Sequence, residues 1–224
     1  MSNDRTENRN PLQRDFFNEK AEIWDKISVH DLKKVDYIVS LFEIRGDERI
    51  LDVGTGTGVM IPFYALRLKT GSVTAVDYSE KMIEIASSKH PREEYPNVEF
   101  LVSDLYDLDC PECYDMIICY SCFPHFPNQP LAVKHLTKML RPGGLFSIAH
   151  SSSRHKINRV HNEGGMEISN DFLPSMKELS EMTENAGLKV KFEQYDDEYF
   201  ILIAKSPNEM QNDLKKAIFY EGNK

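Results

Sequence analysis

The sequence predicts an α/β fold in which a mostly parallel sheet is covered by helices on both faces. Short apolar segments suited to strands alternate with amphipathic helical segments over about 100 residues, the pattern of a parallel sheet with crossover helices. The stretch from Ile50 to Gly58 reads as a first strand turning tightly into a helix, with glycines that let a ligand approach the backbone. A connection of hairpin length at 196–198 predicts an antiparallel strand at one edge.

The individual elements follow from hydrophobic periodicity and from turn signals. Two helices at 12–28 and 30–42 precede the first strand, and Ser79 is a credible N-cap for a later helix. Further helices are predicted at 59–69, 131–140 and 174–185. Strands are predicted at 50–53, 73–77, 98–102, 115–120, 145–150, 188–195 and 199–204. We therefore expect one domain over 12–205, with a helical cap at 12–45, a tail at 1–11 and a tail or short helix at 206–224.

Composition and charge exclude several classes of function. The 224 residues are 41% hydrophobic and 28% charged, as in ordinary globular proteins, and they contain no apolar run of the ~18 residues that a membrane span needs. The polar N-terminus lacks the apolar core of a secretory signal, so we expect a cytoplasmic protein. A net charge of −9 argues against nucleic acid as a partner, because phosphate binding draws on Lys and Arg.

The four cysteines form two C-x-x-C pairs, at 110/113 and 119/122. Such pairs suggest zinc, but an apolar strand separates them and would span about 20 Å at ~3.3 Å per residue. One tetrahedral site cannot bridge that distance. We expect neither a metal nor a framework of structural disulfides.

Carboxylates follow three predicted strands, at Asp52, Asp77 and Asp104. The carboxyl ends of parallel strands form the edge at which open α/β sheets bind ligands. Asp77 is suitably placed to accept from both hydroxyls of a ribose. Asp104 is placed to accept from an exocyclic amine, or else to cap the following turn. A dinucleotide site would carry a third glycine where Val59 stands, so an adenosine ligand with a zwitterionic tail fits better, with Asp52 near its ammonium group.

Four motifs in order resemble class I S-adenosylmethionine-dependent methyltransferases. They are Leu51-Asp52-Val53-Gly54-Thr55-Gly56-Thr57-Gly58, Val76-Asp77-Tyr78-Ser79-Glu80-Lys81-Met82, Leu101-Val102-Ser103-Asp104 and Leu140-Arg141-Pro142-Gly143-Gly144. The resemblance covers about residues 12–204. It implies a Rossmann-like sheet of seven strands with an antiparallel last strand. It also implies that S-adenosylmethionine is the methyl donor and that S-adenosylhomocysteine is the product.

The resemblance also implies contacts for individual residues. Gly54 and Gly56 approach the methionine part and Asp77 holds the ribose, and we expect Asp52 and Gly58 of the same motif to bind the cofactor as well. On the remaining side of the ligand we expect Tyr78 and Met82 around the adenine, Asp104 and the Leu105 N–H at its amine edge, and the Tyr120 carbonyl at the amino group.

The acceptor side is less defined. His125, in the loop after the fourth strand, and His150, at the end of the fifth, are candidates for a base or a substrate contact. Their combination with His155 and His161 could in principle hold a metal, but the spacing is not that of one helical metal-binding face, and no metal is expected. We further expect an aromatic side chain of the first helix to cover the site and an irregular insertion at 151–173 to cover the acceptor.

A small-molecule acceptor is favoured over a macromolecule. Nucleic-acid amino-methylating enzymes of this fold usually carry Asp/Asn-Pro-Pro-aromatic where this chain has Ser121-Cys122-Phe123-Pro124. Three alternatives stay open at this point: methylation of a macromolecule, binding of the cofactor without catalysis, and dinucleotide-dependent oxidoreduction. The acceptor atom and the oligomeric state, monomer or homodimer, also stay open.

Overall fold

The computed structural model describes residues 11–163, 168–169 and 171–208 and contains one seven-stranded sheet. The strands are β1 (Arg49–Val53), β2 (Ser72–Asp77), β3 (Val98–Val102), β4 (Tyr114–Tyr120), β5 (Leu140–His150), β6 (Lys189–Tyr195) and β7 (Phe200–Lys205). Their order is β3-β2-β1-β4-β5-β7-β6, in which β1 to β5 pair parallel and β7 runs antiparallel to both of its neighbours. The predicted mostly parallel sheet with an antiparallel last strand is confirmed.

Eight α-helices accompany the strands in the described part of the chain. They are α1 (Pro11–Lys20), α2 (Trp24–Ile27), α3 (Leu32–Ser40), α4 (Ile61–Ala65), α5 (Glu80–Lys89), α6 (Gln129–Thr137), α7 (Arg154–Asn162) and α8 (Met176–Asn185). A short 3₁₀ turn joins α1 to α2, so the predicted first helix is confirmed as a segmented one. Ser79 caps α5 as predicted, because its side chain accepts from the Met82 N–H. Within the described residues, no helix is long and apolar enough to cross a membrane.

The two faces of the sheet bury separate apolar clusters. Within β1, Leu51 and Val53 belong to one cluster and Ile50 to the other, as the alternation of side chains along a strand requires. A third, smaller cluster joins Phe17 of α1 to Met82 of α5. The N-terminal helices are therefore packed against the sheet edge that carries the glycine turn.

Three expectations about elements need correction. The segment 151–173 is not irregular throughout, because α7 occupies its first half and begins at Ser153, whose hydroxyl accepts from the Lys156 N–H at 3.4 Å. The helix predicted at 59–69 is shorter, since α4 covers Ile61–Ala65. β5 begins at Leu140, which pairs with Tyr114 across a register shift. Of the tails predicted at 1–11 and 206–224, residues 1–10 and 209–224, with the short helix expected at 210–219, lie outside the described residues, and Pro11 belongs to α1.

The cysteines are correctly placed at opposite ends of β4, but one pair is not reduced. Cys110 and Cys113 form a disulfide in the turn before β4, where their Cα atoms lie 5.5 Å apart. This separation is an ordinary one for a disulfide, and the turn brings the two thiols together without help from distant residues. Cys119 and Cys122 are free and buried. The structure groups no three potential metal ligands among the described residues.

Candidate active site

A tight turn follows β1 at the carboxyl edge of the sheet. Gly54 and Gly56 have φ values of +65° and +55°, which L side chains rarely adopt. A Cβ on Gly54 would lie 2.6 Å from Cβ of Cys122, so this position has no space for a side chain. The Thr55 N–H donates to the Val76 carbonyl at 2.9 Å and fixes the turn against β2. The result is a turn whose backbone is open toward a cleft.

Asp77 lies at the end of β2, directly beside this turn. One carboxylate oxygen accepts from the Gly56 N–H at 2.9 Å, and the other accepts from the Ser79 N–H at 2.9 Å. Burial raises the pKa of Asp77 above its usual value, while these backbone donors act in the opposite direction. A carboxylate offers about four acceptor positions. Acceptor capacity therefore remains for a donor that enters the cleft.

The next part of the cleft wall comes from the residues after β2 and β3. Tyr78, Met82, Asp104 and Leu105 all line it, as the sequence predicts. Asp104 also caps the turn that follows, since its carboxylate accepts from the Tyr106 N–H at 2.9 Å. Asp104 therefore caps the turn and also lines the cleft, and its contact with an adenine amine stays a prediction.

The N-terminal helices form the opposite wall. Phe17 and Trp24 line the cleft, in agreement with the expected aromatic cover. Asp25 of α2 accepts from the Thr57 hydroxyl at 2.5 Å and from the Lys89 ammonium at 2.6 Å. These contacts fasten α2 to the glycine turn and to the end of α5.

A histidine–carboxylate pair contributes to the cleft through its histidine. His125 lines the cleft, and its Nδ1 lies 2.7 Å from Oδ2 of Asp171. Because a carboxylate oxygen accepts hydrogen bonds, the tautomer that suits this contact has its N–H at Nδ1 and leaves Nε2 as the acceptor nitrogen. His161 packs beside His125, with ring centroids 4.9 Å apart, and its Nδ1 lies 2.7 Å from the Asp171 carbonyl oxygen. Burial lowers the pKa of His161, which favours the neutral ring there.

A second polar chain reaches the cleft from the segment between α2 and α3. The Tyr120 hydroxyl lies 2.9 Å from Nδ1 of His30 and 2.8 Å from the Ser151 hydroxyl. Burial lowers the pKa of His30 and raises the pKa of Tyr120 to about 12. Both groups are therefore neutral near pH 7 and act as hydrogen-bonding groups rather than as charges.

Three residues expected at the site do not line the cleft. Asp52 is 1% exposed and accepts from the Thr55 hydroxyl at 2.7 Å, on the side of β1 that faces Tyr64, so that burial raises its pKa to about 7. Gly58 faces His90 instead of the cleft. His150 is 3% exposed beside Phe200, and burial lowers its pKa to about 3. We therefore correct its expected position: it is enclosed behind the cleft wall and does not contact the cavity.

Sequence reasoning missed Gln13, His30 and Asp171. Asp171 is 46 residues from His125 in the sequence and follows no strand, so no local motif identifies it as a site residue. Gln13 offered a signal, because it is in helical register with Phe17 on the buried face of α1, where a polar residue is unexpected. Its side chain is 2% exposed and lies in the cleft wall.

Comparisons with known proteins agree with this geometry. Residues 50–144 match a family described as a methyltransferase domain. The chain is 28% identical over 185 residues to a ubiquinone biosynthesis O-methyltransferase of Pseudomonas syringae pv. syringae (strain B728a), covering 75% of this chain and 78% of the relative. It is 30% identical over 147 residues to a malonyl-[acyl-carrier protein] O-methyltransferase of Priestia megaterium, covering 61% of this chain and 52% of the relative.

Solved structures share the fold. The magnesium protoporphyrin IX methyltransferase of Synechocystis PCC 6803, crystallised with bound S-adenosylhomocysteine, superposes with a TM-score of 0.69 at 19% identity, covering 88% of this chain and 99% of the other. The chain covers 44%, 33% and 52% of the length of three curated relatives that it matches. It therefore spans about half of these relatives or less. Those relatives contain regions that this chain does not align with.

Proposed function

We propose that this chain is a class I S-adenosylmethionine-dependent methyltransferase that transfers a methyl group from S-adenosylmethionine to a hydroxyl of a small-molecule acceptor. One observation carries the proposal. The glycine turn, Asp77 and His125 line a single cleft, and Asp171 lies 2.7 Å from Nδ1 of His125. The glycine turn and Asp77 suit an adenosine ligand, and the His125–Asp171 pair suits a proton acceptor at the reacting atom.

The residues on the proposed cofactor side fit S-adenosylmethionine. Asp77 retains acceptor capacity for the ribose hydroxyls, and Gly54 and Gly56 leave the backbone open for the methionine part. Tyr78 and Met82 enclose the adenine in this proposal, with Asp104 and the Leu105 N–H at its polar edge and the Tyr120 carbonyl toward the amino group. When bound, the cofactor supplies an electrophilic methyl group on a sulfonium.

Asp52, Gly58 and His150 have supporting roles in this proposal. Asp52 keeps the glycine turn in place through the Thr55 hydroxyl, and Gly58 gives space to His90. His150 packs beneath the cleft and has no part in proton transfer. His125 is the base.

The chemistry at His125 follows from its tautomer. Asp171 accepts the proton on Nδ1, so Nε2 takes the acceptor's hydroxyl proton while the acceptor oxygen forms a bond to the methyl carbon. The carbon–sulfur bond breaks in line and its electron pair stays on sulfur. The proton on Nε2 then leaves to water. General-base catalysis of this kind contributes on the order of 10²–10⁴ in rate, and closure of the site around aligned reactants adds to it.

Two further observations favour a hydroxyl, and an aromatic one, as the acceptor. A phenol needs a base more than an amine or a thiolate does. Phe17, Trp24 and Phe126 line the cleft and offer ring faces and edges to a flat acceptor. The Pseudomonas relative is itself named as an O-methyltransferase, which agrees with this choice.

A methyl-donor screen tests the proposal. The protein is incubated with S-adenosylmethionine and pooled phenols, amines or thiols, and products are read by a mass increase of one methyl group. We expect products from the phenol pool, and His125→Ala should lower turnover about 100-fold. His155→Ala, an exposed histidine on α7, is the matched control and should match the unsubstituted protein. Turnover on amines or thiols that is unaffected by His125→Ala would contradict the hydroxyl assignment, and no turnover in any pool would contradict methyl transfer.

A further inference from the structure

Gln13 contacts both Tyr78 and Asp171. Its side-chain oxygen accepts from the Tyr78 hydroxyl at 2.9 Å, and its side-chain nitrogen donates to Oδ2 of Asp171 at 2.6 Å. Tyr78 belongs to the proposed adenine side, and Asp171 belongs to the base. One buried amide in α1 therefore contacts both Tyr78 and Asp171, and Asp171 is 158 residues away from Gln13 in the sequence.

The rest of α1 holds this amide in place. The Asn18 side-chain oxygen accepts from the Ser79 hydroxyl at 2.7 Å and from the Lys81 N–H at 3.2 Å, which fixes α1 at the start of α5. Phe17 packs edge-on against His125, with ring centroids 4.9 Å apart. These contacts hold α1 against the start of α5 and against His125.

The same Asp171 oxygen, Oδ2, accepts from the Gln13 amide and contacts Nδ1 of His125. Nδ1 of His125 and the Gln13 amide both lie within 2.7 Å of Oδ2 of Asp171. A second donor on that oxygen restricts the rotation of the carboxylate, and an amide does so without adding a charge beside the base. A leucine would fill a similar volume but would leave both partners without this contact.

We propose that Gln13 is a positioning residue that couples closure of α1 over the bound cofactor to the orientation of the catalytic base. It acts through Asp171, which holds the His125 ring so that Nε2 faces the acceptor. The inference rests on the proposed function, because it assigns to His125 the role of base. It adds that the base is fully oriented only when α1 is closed against Tyr78.

The kinetic test is a double-mutant cycle. Gln13→Leu should lower turnover about tenfold and change the affinity for S-adenosylhomocysteine by no more than about threefold. That affinity is read from the fluorescence of Trp24, which lines the cleft and is the one tryptophan of the chain. If Gln13 acts through Asp171, Gln13→Leu should cause little further loss in an Asp171→Asn background. Glu19→Gln, at an exposed position of the same helix, is the control and should change neither quantity.

A second readout does not depend on activity. In ¹⁵N-histidine NMR spectra, the ring nitrogen signals of His125, assigned by their loss in His125→Ala, should shift in Gln13→Leu and stay unchanged in Glu19→Gln. If the unsubstituted protein transfers no methyl group, the proposed function fails while this measurement still decides whether the bridge exists. The inference is overturned if the His125 signals do not respond to Gln13→Leu. It is also overturned if the losses caused by Gln13→Leu and Asp171→Asn add in full.

Discussion

The two ends of the cleft are built in different ways. The proposed cofactor end, from the glycine turn to Leu105, comes from one continuous part of the chain, and only the Tyr120 carbonyl is added from β4. Its hydrogen bonds run largely to backbone N–H groups. The proposed acceptor end, around His125, is assembled from side chains that are far apart in sequence, with separations of 46, 90 and 158 residues for His125–Asp171, His30–Tyr120 and Gln13–Asp171. Local backbone chemistry leaves a sequence motif, whereas a site assembled from distant side chains does not.

The largest effect on ligand binding should come from the glycine turn. Gly54→Ala places a Cβ 2.6 Å from Cβ of Cys122 at a φ of +65°, so the turn must move. We expect the affinity for S-adenosylhomocysteine, read from Trp24 fluorescence, to fall by at least about 100-fold, since a displacement of ~1 Å at a site has effects of that size.

Gly187→Ala is the matched control for this experiment. Gly187 also has a positive φ, +94°, but no atom within 4 Å of the added Cβ. It tests the effect of backbone strain without a clash. Normal affinity in Gly54→Ala, or an equal loss in both variants, would show that the cofactor end does not depend on close backbone approach at this turn.

A smaller effect on binding is expected at Asp77. Asp77→Asn keeps the shape of the side chain but removes the charge and one acceptor, and charge-assisted hydrogen bonds contribute about 1.5–3 kcal/mol each. We expect an affinity for S-adenosylhomocysteine about 30-fold weaker. Asp47→Asn, at an exposed position, is the control. An unchanged affinity in Asp77→Asn would remove the ribose assignment and with it the main support for the cofactor end.

Of Gly54, Asp77 and Asp52, we expect Asp52 to affect ligand binding least and the free energy of unfolding most. Burial raises its folded-state pKa to about 7 from an ordinary value of 3.8, so the folded state binds the proton more tightly than the unfolded state between these values. The unfolding free energy therefore falls as pH rises through this window, by up to about 4 kcal/mol at 1.36 kcal/mol per pH unit.

Urea unfolding of Asp52→Asn checks this expectation. The variant lacks the titration, so its stability relative to the unsubstituted protein should rise between pH 5 and pH 8. His150, with a pKa lowered to about 3, has the opposite effect: its contribution to stability is lost as pH falls below about 6.5. That term is common to both proteins and cancels. Parallel pH profiles of stability would show that Asp52 is not a buried carboxylate of raised pKa.

The sequence was informative where chemistry and local geometry coincide. Alternation of strands and helices, the glycine turn and the carboxylates at strand ends were sufficient for the fold and for Asp77, Tyr78 and Asp104 in the cleft wall. These patterns did not predict whether the side chain of a residue at a strand end faces the cleft or the core. Asp52 and His150 both stand near the carboxyl edge of the sheet, but both side chains are buried away from the cleft.

The acceptor end was beyond the reach of sequence patterns for a related reason. His125 was identified from its loop, but the carboxylate that orients it belongs to a segment that the sequence describes only as polar and irregular. α7 and the residues after it bring Asp171 to His125, and α1 brings Gln13 to both. Only the folded arrangement of these three segments brings His125, Asp171 and Gln13 together.

A crystal structure of the complex with S-adenosylhomocysteine tests the central claim most directly. We expect the ribose hydroxyls within hydrogen-bonding distance of the Asp77 carboxylate. We expect the ligand sulfur to face His125. We further expect that the Gln13 bridge persists in the complex. A ligand whose ribose contacts other residues, or whose sulfur points away from His125, would contradict the division of the cleft into a cofactor end and an acceptor end.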